Sequence, residues 1–141
     1  INWGGTVPGS IIFTNGCFDV IHRGHIELLM YCYTLGEKVI VGLNSDESIR
    51  RLKGEDRPIN SLEDRKLLLE SLRYVHQVIV FNEDTPYNLI KEIKPNIIVK
   101  GGDYKPKDVV GKNISEVKIF NYVKGYSTTK KIESIINRRS L

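Results

Sequence analysis

The chain alternates short, mainly apolar runs with stretches in which apolar residues recur at helical spacing. The apolar runs are the length of buried strands, and they predict five of them, at residues 11–13, 39–43, 78–81, 97–99 and 117–120. Strands that are apolar throughout and separated by helices are typical of a parallel sheet covered on both faces. The pattern therefore predicts an α/β fold, with a Rossmann-like, doubly wound, five-stranded parallel sheet.

Helical spacing and helix-start residues place helices between these strands. The pattern predicts helices over residues 26–35 and 86–93, a short helix or turn at 47–52, and a last helix from near Thr128. A further helix starts at Ser61, and Leu67, Leu68 and Leu72 are predicted to share one of its faces.

Length and composition narrow the class of protein. The 141 residues suit one domain, which we assign to residues 11–141, and residues 1–10 are interpreted as an amino-terminal tail without function. No apolar run approaches the length of a membrane span, and two cysteines are too few for a disulfide framework, so we expect reduced thiols in a cytoplasmic protein. The net charge of +4 suits anionic ligands, while scattered Lys and Arg disfavour nucleic acid.

Polar and glycine-containing segments follow four of the predicted strands, at residues 14–25, 44–46, 100–103 and 125–130. In open α/β sheets, ligands bind beyond the carboxyl ends of the strands. The four segments are therefore expected to converge on one ligand-binding edge.

His22 and His25 stand three residues apart around Gly24, at the expected start of a helix. A helix amino terminus offers backbone N–H groups and the positive end of the helix dipole, and a glycine lets a phosphate approach the backbone. Both imidazoles could donate hydrogen bonds to phosphate oxygens. Surface histidines or a helix cap would explain the pair equally well, and zinc is disfavoured because no third ligand is near.

The other loops are individually ambiguous. Ser127, Thr128 and Thr129 are typical helix caps, yet at the ligand edge they could also hold a phosphate. The charged loop around Gly54 could close Lys53 over reacting phosphates, and Gly101–Gly102 could form a tight turn or approach a base or ribose. Asp19 and Asp46 could bind hydroxyls or a phosphate-bound metal, or simply form turns.

Together these segments resemble the cytidylyltransferase-like nucleotidyltransferases, which share a glycine turn with Phe-Asp, a His-x-Gly-His and a late Ser-Thr-Thr. Within that superfamily the chain is similar to the D-glycero-β-D-manno-heptose 1-phosphate adenylyltransferases over residues 11–136. The closer resemblance rests on residues 14–19, 44–46, 51–58, 83–86 and 99–104. Thr-Asn-Gly-Cys-Phe-Asp and Val-Lys-Gly-Gly-Asp-Tyr are the first and last of these motifs.

The resemblance implies that ATP and a heptose 1-phosphate react to give ADP-heptose and pyrophosphate, for lipopolysaccharide or other surface glycans. It implies Mg²⁺ bound through the ATP phosphates, with no dedicated metal site in the protein, and a homodimer. Many members carry a fused sugar kinase. This chain resembles the free-standing form, so a separate kinase is expected upstream in the pathway.

The resemblance also implies a role for each matching residue. His25 would contact the α-phosphate and His22 its neighbours, Lys53 and Arg57 would neutralise charge, and residues 127–128 would hold the β- and γ-phosphates. The expected catalytic residues are His22, His25, Lys53 and Thr128. The expected nucleotide-binding residues are Asn15, Gly16, Cys17, Phe18, Gly24, Lys100, Gly101, Gly102, Asp103, Ser127, Thr128 and Thr129. The expected substrate-binding residues are Asp19, Asp46, Lys53 and Arg57.

Four rival functions remain open at this stage. A glycerol-3-phosphate cytidylyltransferase is disfavoured because the Arg that precedes its Ser-Thr-Thr motif is absent from residues 122–126. An FAD synthetase type of enzyme, or a domain that binds nucleotide without turnover, would keep the same fold. A dehydrogenase is weaker, because the first loop lacks the glycine pattern of dinucleotide-binding proteins.

Overall fold

A computed structural model describes residues 7–121 and 132–136 of the chain. The strands are β1 (Val7–Gly16), β2 (Gly36–Asn44), β3 (Gln77–Phe81), β4 (Ile97–Gly101) and β5 (Glu116–Phe120). The helices are α1 (Arg23–Leu35), α2 (Asp46–Lys53), α3 (Leu62–Glu70) and α4 (Tyr87–Ile93), with a 3₁₀ turn at Pro106–Asp108. Residues 132–136, within the predicted last helix, are also helical.

The strands form one parallel sheet in the order β3-β2-β1-β4-β5. The chain moves outward from β1 through β2 to β3, then returns to the other side of β1 for β4 and β5. This reversal between β1 and β4 is the switch point at which doubly wound sheets bind ligands. The predicted fold class is confirmed. Element ends differ from the prediction, most clearly for β1, which starts at Val7 instead of residue 11.

Two apolar clusters cover the two faces of the sheet. One packs Leu28, Leu29 and Cys32 of α1 with Leu69 of α3 against the sheet, and the other packs α4 against the opposite face. Burial raises the pKa of the Cys32 thiol to about 12, which fits a core side chain. Among the described residues, no helix has both the length and the apolar character needed to span a membrane.

The side of α3 that packs on the sheet is not the one that carries Leu67 and Leu68. Leu67 and Leu68 are 64% and 48% exposed, whereas Arg65 and Leu69, one turn apart, are fully buried. The helix turns this face to the sheet because the Arg65 guanidinium finds backbone and carboxylate acceptors beneath it. The apolar pattern alone could not reveal that a charged side chain belongs inside.

We expect Gly42→Ala to destabilise the fold by about 1–3 kcal/mol, as overpacking of a core does. Gly42 lies on β2, where an added Cβ would stand 2.7 Å from Cζ of the buried Phe13 ring on β1. Urea unfolding would measure the change in the free energy of unfolding. An unchanged urea midpoint would show that the Phe13 ring and its neighbours accommodate the added methyl group without cost.

Candidate functional site

A cleft of about 460 Å³ opens at the carboxyl ends of the parallel strands. It is lined by Asn15, Gly16, Cys17, Phe18, Asp19, His25, Asn44, Leu52, Lys53, Arg57, Asp84, Thr85, Pro86, Lys100, Tyr104 and Val110. Loops after β1, β2, β3 and β4 therefore meet at one edge of the sheet. The structure brings together nine of the predicted site residues: residues 15–19, His25, Lys53, Arg57 and Lys100.

The loop after β1 takes a tight path into the cleft. Phe18 has a φ of 46°, in the left-handed region that non-glycine residues rarely adopt. Gly16 makes room for this turn, because an added Cβ would lie 3.1 Å from the Phe18 ring. The buried Phe18 ring in turn packs 5.2 Å from the His25 ring, between centroids. Local backbone strain at Phe18 thus places an aromatic support beside His25.

The two histidines form a reciprocal cap at the start of α1. The Gly24 amide donates to His22 Nδ1 at 3.0 Å, and the His22 amide donates to His25 Nδ1 at 3.2 Å. The rings stack with centroids 3.9 Å apart. Because both Nδ1 atoms accept hydrogen bonds, we infer that each neutral ring carries its proton on Nε2. The Nε2 atom of His25 is therefore a hydrogen-bond donor on a side chain that lines the cleft.

The pKa of His25 is lowered to about 3 by burial, with further contributions from His22 and Lys53. Its ordinary value is near 6.5. In the absence of ligand the ring is therefore neutral at physiological pH, and a positive charge would form there only when an anion compensates it. This favours a role as a neutral donor to phosphate over a role as a general base near neutral pH.

The depressed His25 pKa predicts a specific pH dependence of stability. Between pH 6.5 and about 3 the unfolded chain binds a proton at His25 that the folded chain does not, so the stabilisation is complete above 6.5 and is lost as pH falls. We expect the wild type to lose more unfolding free energy between pH 7.5 and 4.5 than His25→Asn does. Urea unfolding at both pH values measures this difference, and equal losses would contradict the prediction.

Asp19 binds the protein's own backbone. This carboxylate is 1% exposed and accepts hydrogen bonds from the amides of Ile59 at 2.7 Å and Asn60 at 2.8 Å. It also lies 3.7 Å from Arg57 Nε. Each oxygen accepts a backbone amide, so Asp19 holds the loop that carries Arg57 against the cleft. The substrate-binding role expected for this carboxylate stays a prediction.

Arg65 is the side chain that joins the loops around the cleft. It is fully buried, and its Nη1 donates to the carbonyls of Cys17 at 2.9 Å and Asn44 at 2.8 Å. Its Nε donates to the Asn60 carbonyl at 3.1 Å, and its Nη2 to Asp46 Oδ1 at 2.6 Å. Asp46 was expected to bind substrate. It does not line the cleft, because its carboxylate faces Arg65.

Three basic side chains converge on the cleft from different elements. Lys53 ends α2, Arg57 follows it on the loop held by Asp19, and Lys100 comes from the end of β4. The two carboxylates of the cleft wall are engaged, since Asp19 receives backbone amides and Asp84 pairs with Arg51 at 3.2 Å. The described cleft wall therefore carries three basic side chains against two carboxylates, an excess of positive charge that favours anionic ligands.

Several predicted residues lie elsewhere. The Gly24 amide is used by His22, so it is not open to a phosphate, and His22 itself is buried behind His25. Gly102 donates its amide to the Phe120 carbonyl on β5 at 2.9 Å. Gly101, Gly102 and Asp103 are not part of the described cleft lining. The expected phosphate-binding residues Ser127, Thr128 and Thr129 lie outside the described residues.

Several members of the cleft wall have no site role in the sequence interpretation. Asp84, Thr85 and Tyr104 follow strands at the ligand edge, and Asn44 is the last residue of β2. Asp84 and Thr85 follow β3, so the tendency of ligands to bind beyond the carboxyl ends of parallel strands points to them as well. For Arg65, buried in a helix and remote along the chain, no such signal exists.

Within residues 7–121 and 132–136, no group of three or more His, Cys, Asp or Glu side chains could hold a metal ion. Both oxygens of Asp19 accept backbone amides, and Asp84 faces Arg51. The described residues therefore do not fit a protein-held divalent cation, which normally takes several oxygen ligands.

Comparison with known proteins extends these observations. The sequence matches the cytidylyltransferase-like family over residues 13–138. It is 56% identical over 124 residues to the bifunctional protein HldE of a Nitratiruptor species, and 53% identical over 126 residues to that of Campylobacter concisus. These matches cover 87% and 89% of this chain but only 27% of each relative, so the chain spans about a quarter of the relatives' length.

Solved structures show the same architecture. A lipopolysaccharide core biosynthesis protein from Thermoplasma volcanium superposes with a TM-score of 0.68 at 28% identity, covering 84% of this chain and 98% of that one. A pantothenate synthetase from Thermus thermophilus gives a TM-score of 0.58 at 15% identity, over 94% of this chain and 68% of that one. The second likeness shows the fold alone.

Proposed function

Because the chain belongs to the cytidylyltransferase-like family, a family of nucleotidyltransferases, we propose that its cleft transfers AMP from ATP to a heptose 1-phosphate. The observation that carries this proposal is the meeting of His25 with Lys53, Arg57 and Lys100 in one cleft whose carboxylates are engaged. Such a cleft suits a reaction in which two anions must be brought together.

The reaction needs charge stabilisation more than proton transfer. The second pKa of a phosphate monoester is about 6, so the acceptor phosphate is largely ionised at neutral pH and needs no general base. One of its oxygens forms a bond to the α-phosphorus of ATP while the bond from that phosphorus to the bridging oxygen of pyrophosphate breaks. The products are ADP-heptose and pyrophosphate.

The residues of the cleft divide this work. His25 Nε2–H donates to an oxygen of the α-phosphate, where negative charge is redistributed in the transition state. The His22 ring, stacked on His25 and bonded to Gly24, keeps the His25 ring in position. Lys53 and Arg57 neutralise the charge of the incoming phosphate, and Asp19 holds Arg57 in place. The residues 127–129 remain proposed ligands of the β- and γ-phosphates.

The heptose assignment rests on sequence resemblance. The motifs at 14–19 and 99–104 resemble heptose 1-phosphate adenylyltransferases, and these segments contribute Asn15 to Asp19, Lys100 and Tyr104 to the cleft. The relatives called bifunctional are nearly four times as long as the matched region, which agrees with fusion to a second activity. The similar solved structure carries the name of lipopolysaccharide core biosynthesis.

Nucleotidyltransferases of this family generally use Mg²⁺. When bound, such an ion would neutralise phosphate charge. Since the described residues form no cage for it, we propose that it is carried by the ATP phosphates.

The cellular location of the protein, its oligomeric state and the supply of its substrate are also proposals. ATP and a sugar phosphate fit the family, and we propose that the protein acts in the cytoplasm as a homodimer. A sugar kinase activity would have to supply the heptose phosphate. Light scattering coupled to size exclusion would test the dimer, and a monomer at micromolar concentration would exclude it.

Pyrophosphate release tests the proposed function. ATP or CTP is paired with D-glycero-β-D-manno-heptose 1-phosphate, its α-anomer, glycerol 3-phosphate and flavin mononucleotide. Release only with ATP and a heptose 1-phosphate is expected. Release with CTP and glycerol 3-phosphate, or with flavin mononucleotide, would replace the substrate assignment. ATP binding without release in any pairing would indicate a nucleotide-binding domain.

A further inference from the structure

Lys100 carries a half-buried ammonium group that has no carboxylate partner among the described residues. It lines the cleft from β4, with Nζ 4.9 Å above the centroid of the Tyr104 ring. No carboxylate of the described residues forms an ion pair with it. Burial lowers the pKa of Lys100, and the positive charge of Lys53 lowers it further. A buried charge of this kind is costly without a partner.

Lys100 and Lys53 line the same cleft and reach it from opposite sides of the central strand. Lys53 belongs to the helix after β2 and Lys100 to the end of β4, while β2 and β4 both pair with β1. Cys17, which follows β1, raises the pKa of Lys100, whereas Lys53 lowers it. An anion placed between the two ammonium groups would be bridged across the cleft.

The geometry points to Lys100 as a residue that determines acceptor specificity by binding the acceptor's phosphate together with Lys53, while Tyr104 positions its ammonium. This inference rests on the proposed function. In the proposed reaction, His25 at the start of α1 contacts the phosphates of ATP. In-line displacement places the attacking phosphate on the side opposite the leaving pyrophosphate, so that phosphate needs cations of its own. The sequence had assigned Lys100 to the nucleotide instead.

Tyr104 acts through Lys100. Its ring is half exposed at the mouth of the cleft, and a cation over an aromatic face is attracted by the ring quadrupole. Tyr104→Phe keeps this face and is expected to keep the acceptor KM. Tyr104→Leu removes it, and we expect the acceptor KM to rise roughly 2- to 5-fold with an unchanged KM for ATP.

Steady-state kinetics of Lys100→Met, Lys100→Arg and the control Lys91→Met test the proposal. Lys91 is exposed on α4, away from the cleft. In Lys100→Met we expect the KM for heptose 1-phosphate to rise roughly 10- to 100-fold, as for loss of a charge-assisted hydrogen bond, with the KM for ATP unchanged. Lys100→Arg should recover part of this loss. A rise confined to the KM for ATP, or no rise at all, would overturn the assignment.

A binding measurement separates this inference from the proposed function. With the nucleotide site filled by α,β-methylene-ATP, inorganic phosphate is titrated calorimetrically into wild type and Lys100→Met. Weaker phosphate binding by Lys100→Met supports the acceptor site even if no heptose 1-phosphate is turned over. Equal phosphate affinity in the two proteins, or no binding to the wild type, overturns it even if the enzyme makes ADP-heptose.

Discussion

His25→Ala lowers the kcat for pyrophosphate release by about 100- to 1,000-fold, the usual cost of removing one donor from a charge-stabilising site. The reason is the position of Nε2–H in the cleft, on a ring oriented by the His22 amide and supported by Phe18. The measurement is steady-state pyrophosphate release at saturating ATP and acceptor. Because the donor acts on the transition state, kcat should fall more than either KM rises.

His76→Ala is the matched control. His76 also accepts a backbone hydrogen bond through Nδ1, from Val39 at 2.9 Å, but it precedes β3 at the opposite edge of the sheet. We expect its kcat to remain at the wild-type level. His25→Asn can still accept from the His22 amide. A low kcat in this variant as well would show that the loss in His25→Ala does not come from losing the helix cap. Near-normal turnover in His25→Ala would remove His25 from the mechanism.

Arg65→Met destabilises the fold by roughly 3–5 kcal/mol, the cost of breaking a buried ion pair and leaving its partners unsatisfied. The substitution keeps most of the volume but leaves the Cys17, Asn44 and Asn60 carbonyls without this donor, along with the Asp46 carboxylate. Since Asp46 is one-third exposed and can turn to water, we expect the lower part of this range. Urea unfolding measures the change.

Arg73→Met provides the comparison for this experiment. Arg73 is exposed and lies 5.4 Å from the Tyr74 ring centroid, so the same change there should alter the free energy of unfolding by less than about 1 kcal/mol. Equal effects at the two positions would show that the buried network around Arg65 contributes no more than a surface contact does.

The parts of the fold that follow from local pattern could be predicted. Each buried strand is a short apolar run, and a parallel sheet follows from strands separated by crossovers. The ligand edge follows from topology, which is why Asn15, Lys53 and Lys100 meet although they are distant along the chain. His25 was found because two histidines around a glycine at a helix start have a chemical meaning.

What could not be predicted depends on tertiary partners of polar groups. The sequence does not reveal that Asp19 faces the amides of Ile59 and Asn60, forty residues away, so its carboxylate was assigned to substrate. The same holds for Asp46, whose partner Arg65 occupies a helix position that apolar spacing assigns to solvent. The sequence likewise does not reveal that the Gly24 amide donates its hydrogen bond to His22 Nδ1.

The most direct test of the central claim follows the phosphorus atoms of ATP by ³¹P NMR during incubation with D-glycero-β-D-manno-heptose 1-phosphate and Mg²⁺. We expect the ATP signals to be replaced by the pyrophosphate singlet and by two coupled diphosphate doublets of a sugar-linked ADP. The acceptor's monophosphate signal should disappear at the same rate. Formation of free ADP with a new sugar phosphate, or an unchanged ATP spectrum from folded protein, would contradict adenylyl transfer in this cleft.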